Sequence, residues 1–113
     1  MSLAIRSLFE PMRSLAYGAI IVPYSAVGTP FTNPARQIYI QNTTDGLLCF
    51  SIDGINDHFV VAANGFLIVD TTSNKTIDQG FFFARGTQLY VRYITAPTSG
   101  TLYVSVVNGF ERR

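Results

Sequence analysis

The chain has 113 residues, enough for one domain whose folding buries roughly two thirds of the unfolded surface. It is 48% hydrophobic and only 13% charged, with a formal net charge of +1. That balance excludes the basic surface needed for general binding to nucleic acid or anionic membrane. It also leaves a lone domain short of solvating side chains, so much of the surface is expected to meet other protein.

Residues 1–17 read as an N-terminal arm. Ile5, Leu8, Phe9, Met12, Leu15 and Ala16 have helical spacing, but Pro11 interrupts any helix and leaves at most a short turn before it. Leu15 to Val22 follows two arginines in the manner of a secretory signal, yet Glu10, Pro11 and Pro23 spoil that pattern. No run approaches the length of a membrane span. Gly18 to Val27 reads as a first strand, placed at a sheet edge by Pro23.

Arg36 to Gln41 is the next strand, with Ile38 and Ile40 on one face and Gln37, Tyr39 and Gln41 on the other. The turn Asn42-Thr-Thr-Asp-Gly46 predicts a hairpin with Leu47 to Asp53, whose Leu48, Phe50 and Ile52 face inward. From Leu48 to Asp70 the pattern is a meander: strand, polar turn, short strand at His58 to Val61, Asn64-Gly65 turn, strand at Phe66 to Asp70. Such a meander needs other strands to cover its apolar residues.

Thr71 to Gly80 is the longest polar loop, followed by a short apolar strand at Phe81 to Ala84. Thr87 to Thr95 and Thr101 to Val107 alternate strongly, and Ala96-Pro-Thr-Ser-Gly100 predicts a hairpin between them. About eight short strands with regular turn signals predict an all-β protein, a single antiparallel β-sandwich or jelly-roll-like barrel with an extended N-terminal arm. The sandwich spans residues 18–110 and a C-terminal tail 111–113. Tyr39, Cys49, Tyr90, Ile94, Tyr103 and Val107 all fall opposite the inward rows, where a one-sided sheet would show charges, so a second, covered face is expected.

Reaction chemistry finds little support. Asp53-Gly-Ile-Asn-Asp-His58 gathers oxygen ligands and the one histidine, but it lacks calcium-loop spacing and has too few ligands for zinc, so it reads as a turn. The glutamates, Glu10 and Glu111, sit in the terminal segments, and every aspartate lies in or beside a turn. A serine triad has only His58 as base, and Cys49 sits mid-strand without an activating neighbour in sequence. The lone cysteine permits no intrachain disulfide and fits folding in a reducing cytoplasm. The chain is therefore expected to be non-enzymatic, with no metal and no cofactor. A competing reading is a carbohydrate- or receptor-binding module, for which six tyrosines supply stacking surfaces although tryptophan is absent.

The runs Gly28-Thr-Pro-Phe-Thr-Asn-Pro-Ala-Arg36, Asn42-Thr-Thr-Asp45, Ser51-Ile-Asp-Gly-Ile-Asn-Asp-His58, Ala63-Asn-Gly-Phe66, Ser73-Asn-Lys-Thr76, Gly86-Thr-Gln-Leu-Tyr-Val91 and Ala96-Pro-Thr-Ser-Gly100 carry a resemblance. In their order, the chain from about Gly28 to Val107 resembles small virion structural proteins of tailed bacteriophages. The resemblance implies a role as capsid decoration or cement, or as a head-to-tail connector component, in a virion assembled in the host bacterial cytoplasm. It implies major capsid or portal proteins and copies of itself as partners, and it brings no catalytic residue. Docking is then expected through an arm of Ile5, Arg6, Leu8, Phe9, Met12, Arg13 and Leu15, and through a sheet face carrying Tyr39, Tyr90 and Tyr103.

Overall fold

The computed structural model describes residues 4–71 and 83–112, with side chains within 9–71 and 83–107. Period-two patterning turns the alternating stretches into strands, because one apolar row of each can face a partner sheet. They are β1 (Ala4–Phe9), β2 (Arg13–Ala16), β3 (Ser25–Ala26), β4 (Ala35–Asn42), β5 (Leu48–Ser51), β6 (Phe59–Val61), β7 (Phe66–Asp70), β8 (Tyr90–Tyr93) and β9 (Thr101–Arg112). β1 and β2 lie end to end along one edge of β9 and act as one broken strand. One sheet then runs β1/β2, β9, β4, β7 and the other β3, β8, β5, β6, with antiparallel neighbours throughout. With β1 and β2 counted together, this is the strand order of a jelly roll, and the all-β sandwich expected from the sequence is the fold.

The inward rows meet between the sheets. Ile38, Ile40, Leu48, Phe50, Leu89, Val91, Leu102, Val104 and Val106 are fully buried, joined by Val27 and Phe31 from the segment after β3. Each large side chain buried in this way contributes roughly 1.5–3 kcal/mol.

Three expectations need correction. The two predicted hairpins do not form, because β4 and β9 belong to the five-stranded sheet while β5 and β8 belong to the other. Buried Asn42 carries the first crossing: its Nδ2 donates to the carbonyls of Gly46 (3.0 Å), Val61 (3.3 Å) and Ala62 (3.0 Å), and its Oδ1 accepts from the Thr44 N–H and hydroxyl. One side-chain amide thus satisfies the backbone of a chain passing between sheets, where no ladder partner exists. Asp45 organises the second crossing by accepting from the N–H groups of Thr98 (2.7 Å) and Ser99 (3.3 Å).

The strand expected over Gly18 to Val27 shrinks to Ser25–Ala26, preceded by a 3-10 turn at Tyr17–Ala19. The Ser25 hydroxyl donates to the Ala19 carbonyl at 2.9 Å and accepts from the Ile21 N–H at 3.2 Å, closing a local loop that competes with strand pairing. The described part of the N-terminal segment is extended rather than a helical turn, and it pairs with β9 through β1 and β2. The Thr71 to Gly80 loop and the Phe81 to Ala84 strand fall largely outside the described residues; Phe83 forms a single bridge with Ala35.

Candidate docking face

The register of β7, β4, β9 and the N-terminal strands places the outward side chains of the five-stranded sheet in cross-strand rows. Phe66, Gln41, Tyr103 and Ser14 form one row, Ile68, Tyr39 and Ser105 the next, and Asp70, Gln37, Val107 and Phe9 the third. Phe66 is 73% exposed, Ile68 53% and Phe9 68%, whereas Tyr39 and Tyr103 are half-buried among their neighbours. The Tyr39 hydroxyl donates to Gln37 Oε1 (2.9 Å), and Gln37 Nε2 donates to Asp70 Oδ2 (3.0 Å), so a polar relay crosses the apolar face toward β7. At the other end, Tyr103, Phe66, Gln41, Thr43 and Asn64 border a shallow groove of about 330 Å³. Asn64 adopts φ 58° in the predicted Asn-Gly turn and carries the chain into β7.

The structure therefore brings Tyr39 and Tyr103 together and separates them from Tyr90. Tyr90 lies on the outer face of the four-stranded sheet, edge-on to Tyr24 with centroids 6.4 Å apart. Of the arm residues, Phe9 and Met12 are exposed, at 68% and 60%. Arg13 is not available for docking: it is buried and paired with Glu10. Leu15 packs against the chain's own core. The side chains of Ile5, Arg6 and Leu8 lie outside those described.

The outer face of the four-stranded sheet carries exposed Val60 on β6, but its centre is a hydrogen-bonded polar group. Arg92 Nε donates to Asp57 Oδ1 (2.9 Å) and Nη2 to Oδ2 (2.5 Å), and the Tyr24 hydroxyl also donates to Asp57. The Arg92 and Tyr24 hydrogen bonds hold the Asp57 carboxyl well below the usual carboxylate range. Asp57 in turn raises Arg92 and Tyr24. Cys49 lies beneath this group, opposite Arg92 across the strand pair. Burial, and then Asp57, pushes its thiol up, which disfavours the thiolate a nucleophile requires.

Asp53 is also occupied locally. Its Oδ1 accepts from the N–H groups of Ile55 (2.8 Å) and Asn56 (2.9 Å) and from the Ser51 hydroxyl (2.9 Å), and these bonds lower its pKa. His58 Nδ1 accepts the Ile52 N–H at 3.0 Å. The acidic loop thus works as a self-capped turn, as its spacing indicates. Among the described residues no group of three or more His, Cys, Asp and Glu side chains is placed to hold a metal, and no helix is long and apolar enough to cross a membrane.

Two features escaped the sequence reading. The Glu10–Arg13 pair depends on a strand irregularity with no composition signal beyond Pro11, and Phe66 and Ile68 lie in a run that is apolar on both faces. No protein-family model matches the chain, and no curated protein is significantly similar to it.

Proposed function

We propose that the chain is a non-enzymatic structural protein of a bacteriophage virion, docking onto a capsid or portal protein as decoration, cement or a head-to-tail junction component. The observation that carries the docking is the outer face of the five-stranded sheet, where Phe66, Ile68, Tyr39 and Tyr103 stand in place of the charges an exposed antiparallel face ordinarily presents. Phe9 and Met12 extend this apolar surface toward the N-terminal strand. The virion assignment draws on the order of turn motifs from Gly28 to Val107 and on the jelly-roll connectivity, an architecture found in capsid domains and also in lectins.

Quantitative mass spectrometry of purified particles tests the reading through the copy number of this chain relative to the major shell protein. Many copies per shell indicate decoration, and a small ring-sized number indicates the junction. Tyr39→Asp with Tyr103→Asp should reduce incorporation while the domain stays folded. A second reading, carbohydrate binding, is favoured by the Phe66–Tyr103 groove with its flanking Gln41 and Asn64 amides. Absence from particles, together with glycan-array binding that Tyr103→Ala removes, would replace the virion reading with that one.

A further inference from the structure

β7 closes the five-stranded sheet on the side away from β9. The Thr71 N–H donates to the Arg36 carbonyl (2.8 Å) and the Asn42 N–H to the Gly65 carbonyl (2.9 Å). Odd-numbered residues along this strand therefore turn their backbone groups toward β4, and the N–H and C=O groups of Phe66 and Ile68 point out of the sheet. Folded proteins ordinarily blunt such an edge with a lysine, a proline, a bulge or an inward charge. Phe66-Leu-Ile-Val69 has none of these, among the described residues no strand pairs with this side of β7, and Phe66 and Ile68 expose their side chains beside it.

We propose that β7 pairs antiparallel with β7 of a second copy of this chain across a two-fold axis, joining two five-stranded sheets edge to edge. The occupant follows from the strand's complementarity to itself. Two-fold pairing must set outward-pointing backbone groups against each other, and centring on Leu67 does so by placing Phe66 opposite Ile68 of the partner subunit. The same register sets the one charged residue of the strand, Asp70, opposite the Asn64 amide of the partner subunit. Centring on Ile68 would instead face Asp70 with a phenylalanine ring. In the Leu67 register the apolar rows of the two outer faces become one continuous surface. This deepens the docking reading and rests on it for its purpose, whereas the strand geometry stands apart from it.

The test is the mass of the purified full chain by light scattering across a concentration series. The unaltered chain should become a dimer. Phe66→Lys with Ile68→Lys, which sets like charges across the axis, should be monomeric with an unchanged far-UV spectrum. Ile68→Pro should also be monomeric, because the Ile68 N–H makes no bond to β4 and proline there removes no intrachain ladder bond; the lysine variant decides if the proline variant fails to fold. In a Cys49→Ser background, Leu67→Cys should form a disulfide across the axis under mild oxidation, since residues at a non-hydrogen-bonded antiparallel position approach to about 4.5 Å. A monomer at every concentration, a dimer that survives the two lysines, or a dimer in which the Leu67→Cys variant forms no cross-link would overturn the proposal. No particles are involved, so a negative result leaves the docking reading standing, and undiminished incorporation of the Tyr39 and Tyr103 variants, or absence of the chain from particles, leaves the dimer standing.

Discussion

Arg13 Nη2 donates to Glu10 Oε1 at 2.8 Å, although residues three apart on a regular strand face opposite sides of the sheet. The pairing with β9 explains the contact. Phe9 stands opposite Val107 and Arg13 opposite Val104, so Glu10, Pro11 and Met12 face only Ser105 and Val106. The extra residue forms a bulge, Pro11 supplies no N–H to the ladder, and both charged side chains turn inward. There Arg13 also donates to the carbonyls of Thr29 (2.9 Å) and Pro30 (3.2 Å) and lies 5.4 Å from the Phe31 ring centre, while Glu10 Oε2 accepts from the N–H groups of Thr32 and Asn33. The ion pair fastens the N-terminal strands to the loop before β4.

Removing one member of this buried pair leaves the other charge unpaired, a change that costs about 3–5 kcal/mol in comparable sites. Arg13→Ala and Glu10→Ala should each lower the unfolding free energy by that amount, read from urea titrations. The double replacement Glu10→Leu with Arg13→Met should lose much less, because no uncompensated charge remains and the Arg13 Nη1, which has no hydrogen-bond partner, is removed with it. Equal losses in the single and double variants would show that packing rather than pairing holds the segment.

Gly28 makes the room for Arg13. It has φ 65°, and a Cβ there would sit 2.7 Å from Arg13 Cγ. Gly100, at φ 100°, is tighter, because a Cβ would meet the Thr43 carbonyl oxygen at 2.3 Å and backbone has little freedom to yield. Gly28→Ala is expected to cost about 1–3 kcal/mol and Gly100→Ala more, through strained backbone as well as overlap. Denaturant unfolding of the two variants gives the order directly; a smaller loss at Gly100 would contradict the close crossing of the two connections.

The inward rows were legible because Ile38 and Ile40, Leu48 and Phe50, and Leu102 and Val104 alternate with polar or aromatic partners, and period two alone decides which side of a strand is buried. Sheet membership was not. A turn signal such as Asn42-Thr-Thr-Asp-Gly46 announces a reversal, but whether the strands pair with each other depends on buried Asn42 reaching Val61 and Ala62, far along the chain. For the same reason Tyr39, Tyr90 and Tyr103 were legible as outward but not as belonging to two separate faces. Phe66-Leu-Ile-Val69 gives no parity at all, so its outward members emerge only from the pairing with β4.

Stability should fall on acidification. Asp57 is held below the usual range first by Arg92 and then by Tyr24, Asp53 by the Asn56 and Ile55 N–H groups, and Asp45 by the Thr98 hydroxyl and N–H. A carboxyl whose folded pKa is depressed contributes stability that is complete above the unfolded value, near 4, and is lost as the pH falls through the folded value. The Tm should therefore be level near neutrality and decline below about pH 4. Asp57→Asn should flatten part of that decline. Because the Arg92–Asp57 pair is partly exposed, added salt should weaken its share. A Tm that rises on acidification would reverse the sign and refute these assignments.

Cys49 provides a local probe of the opposite sheet. Its residue is only 1% exposed although it faces away from the core, because the Arg92–Asp57 pair and its neighbours lie over it. Desolvation and the adjacent Asp57 keep the thiol protonated, so reaction with a disulfide reagent requires both local opening and loss of a proton. In the native chain labelling should be slow and should accelerate with pH, whereas the denatured chain should react at once. Arg92→Ala removes the covering side chain and leaves the inward row of β8 untouched, so it should raise the native labelling rate by about tenfold or more with little change in the unfolding midpoint. Rapid labelling of the unaltered native protein would mean that the cover is open in solution, and an unchanged rate in Arg92→Ala would mean that access to Cys49 is controlled by unfolding of β5 rather than by the ion pair above it.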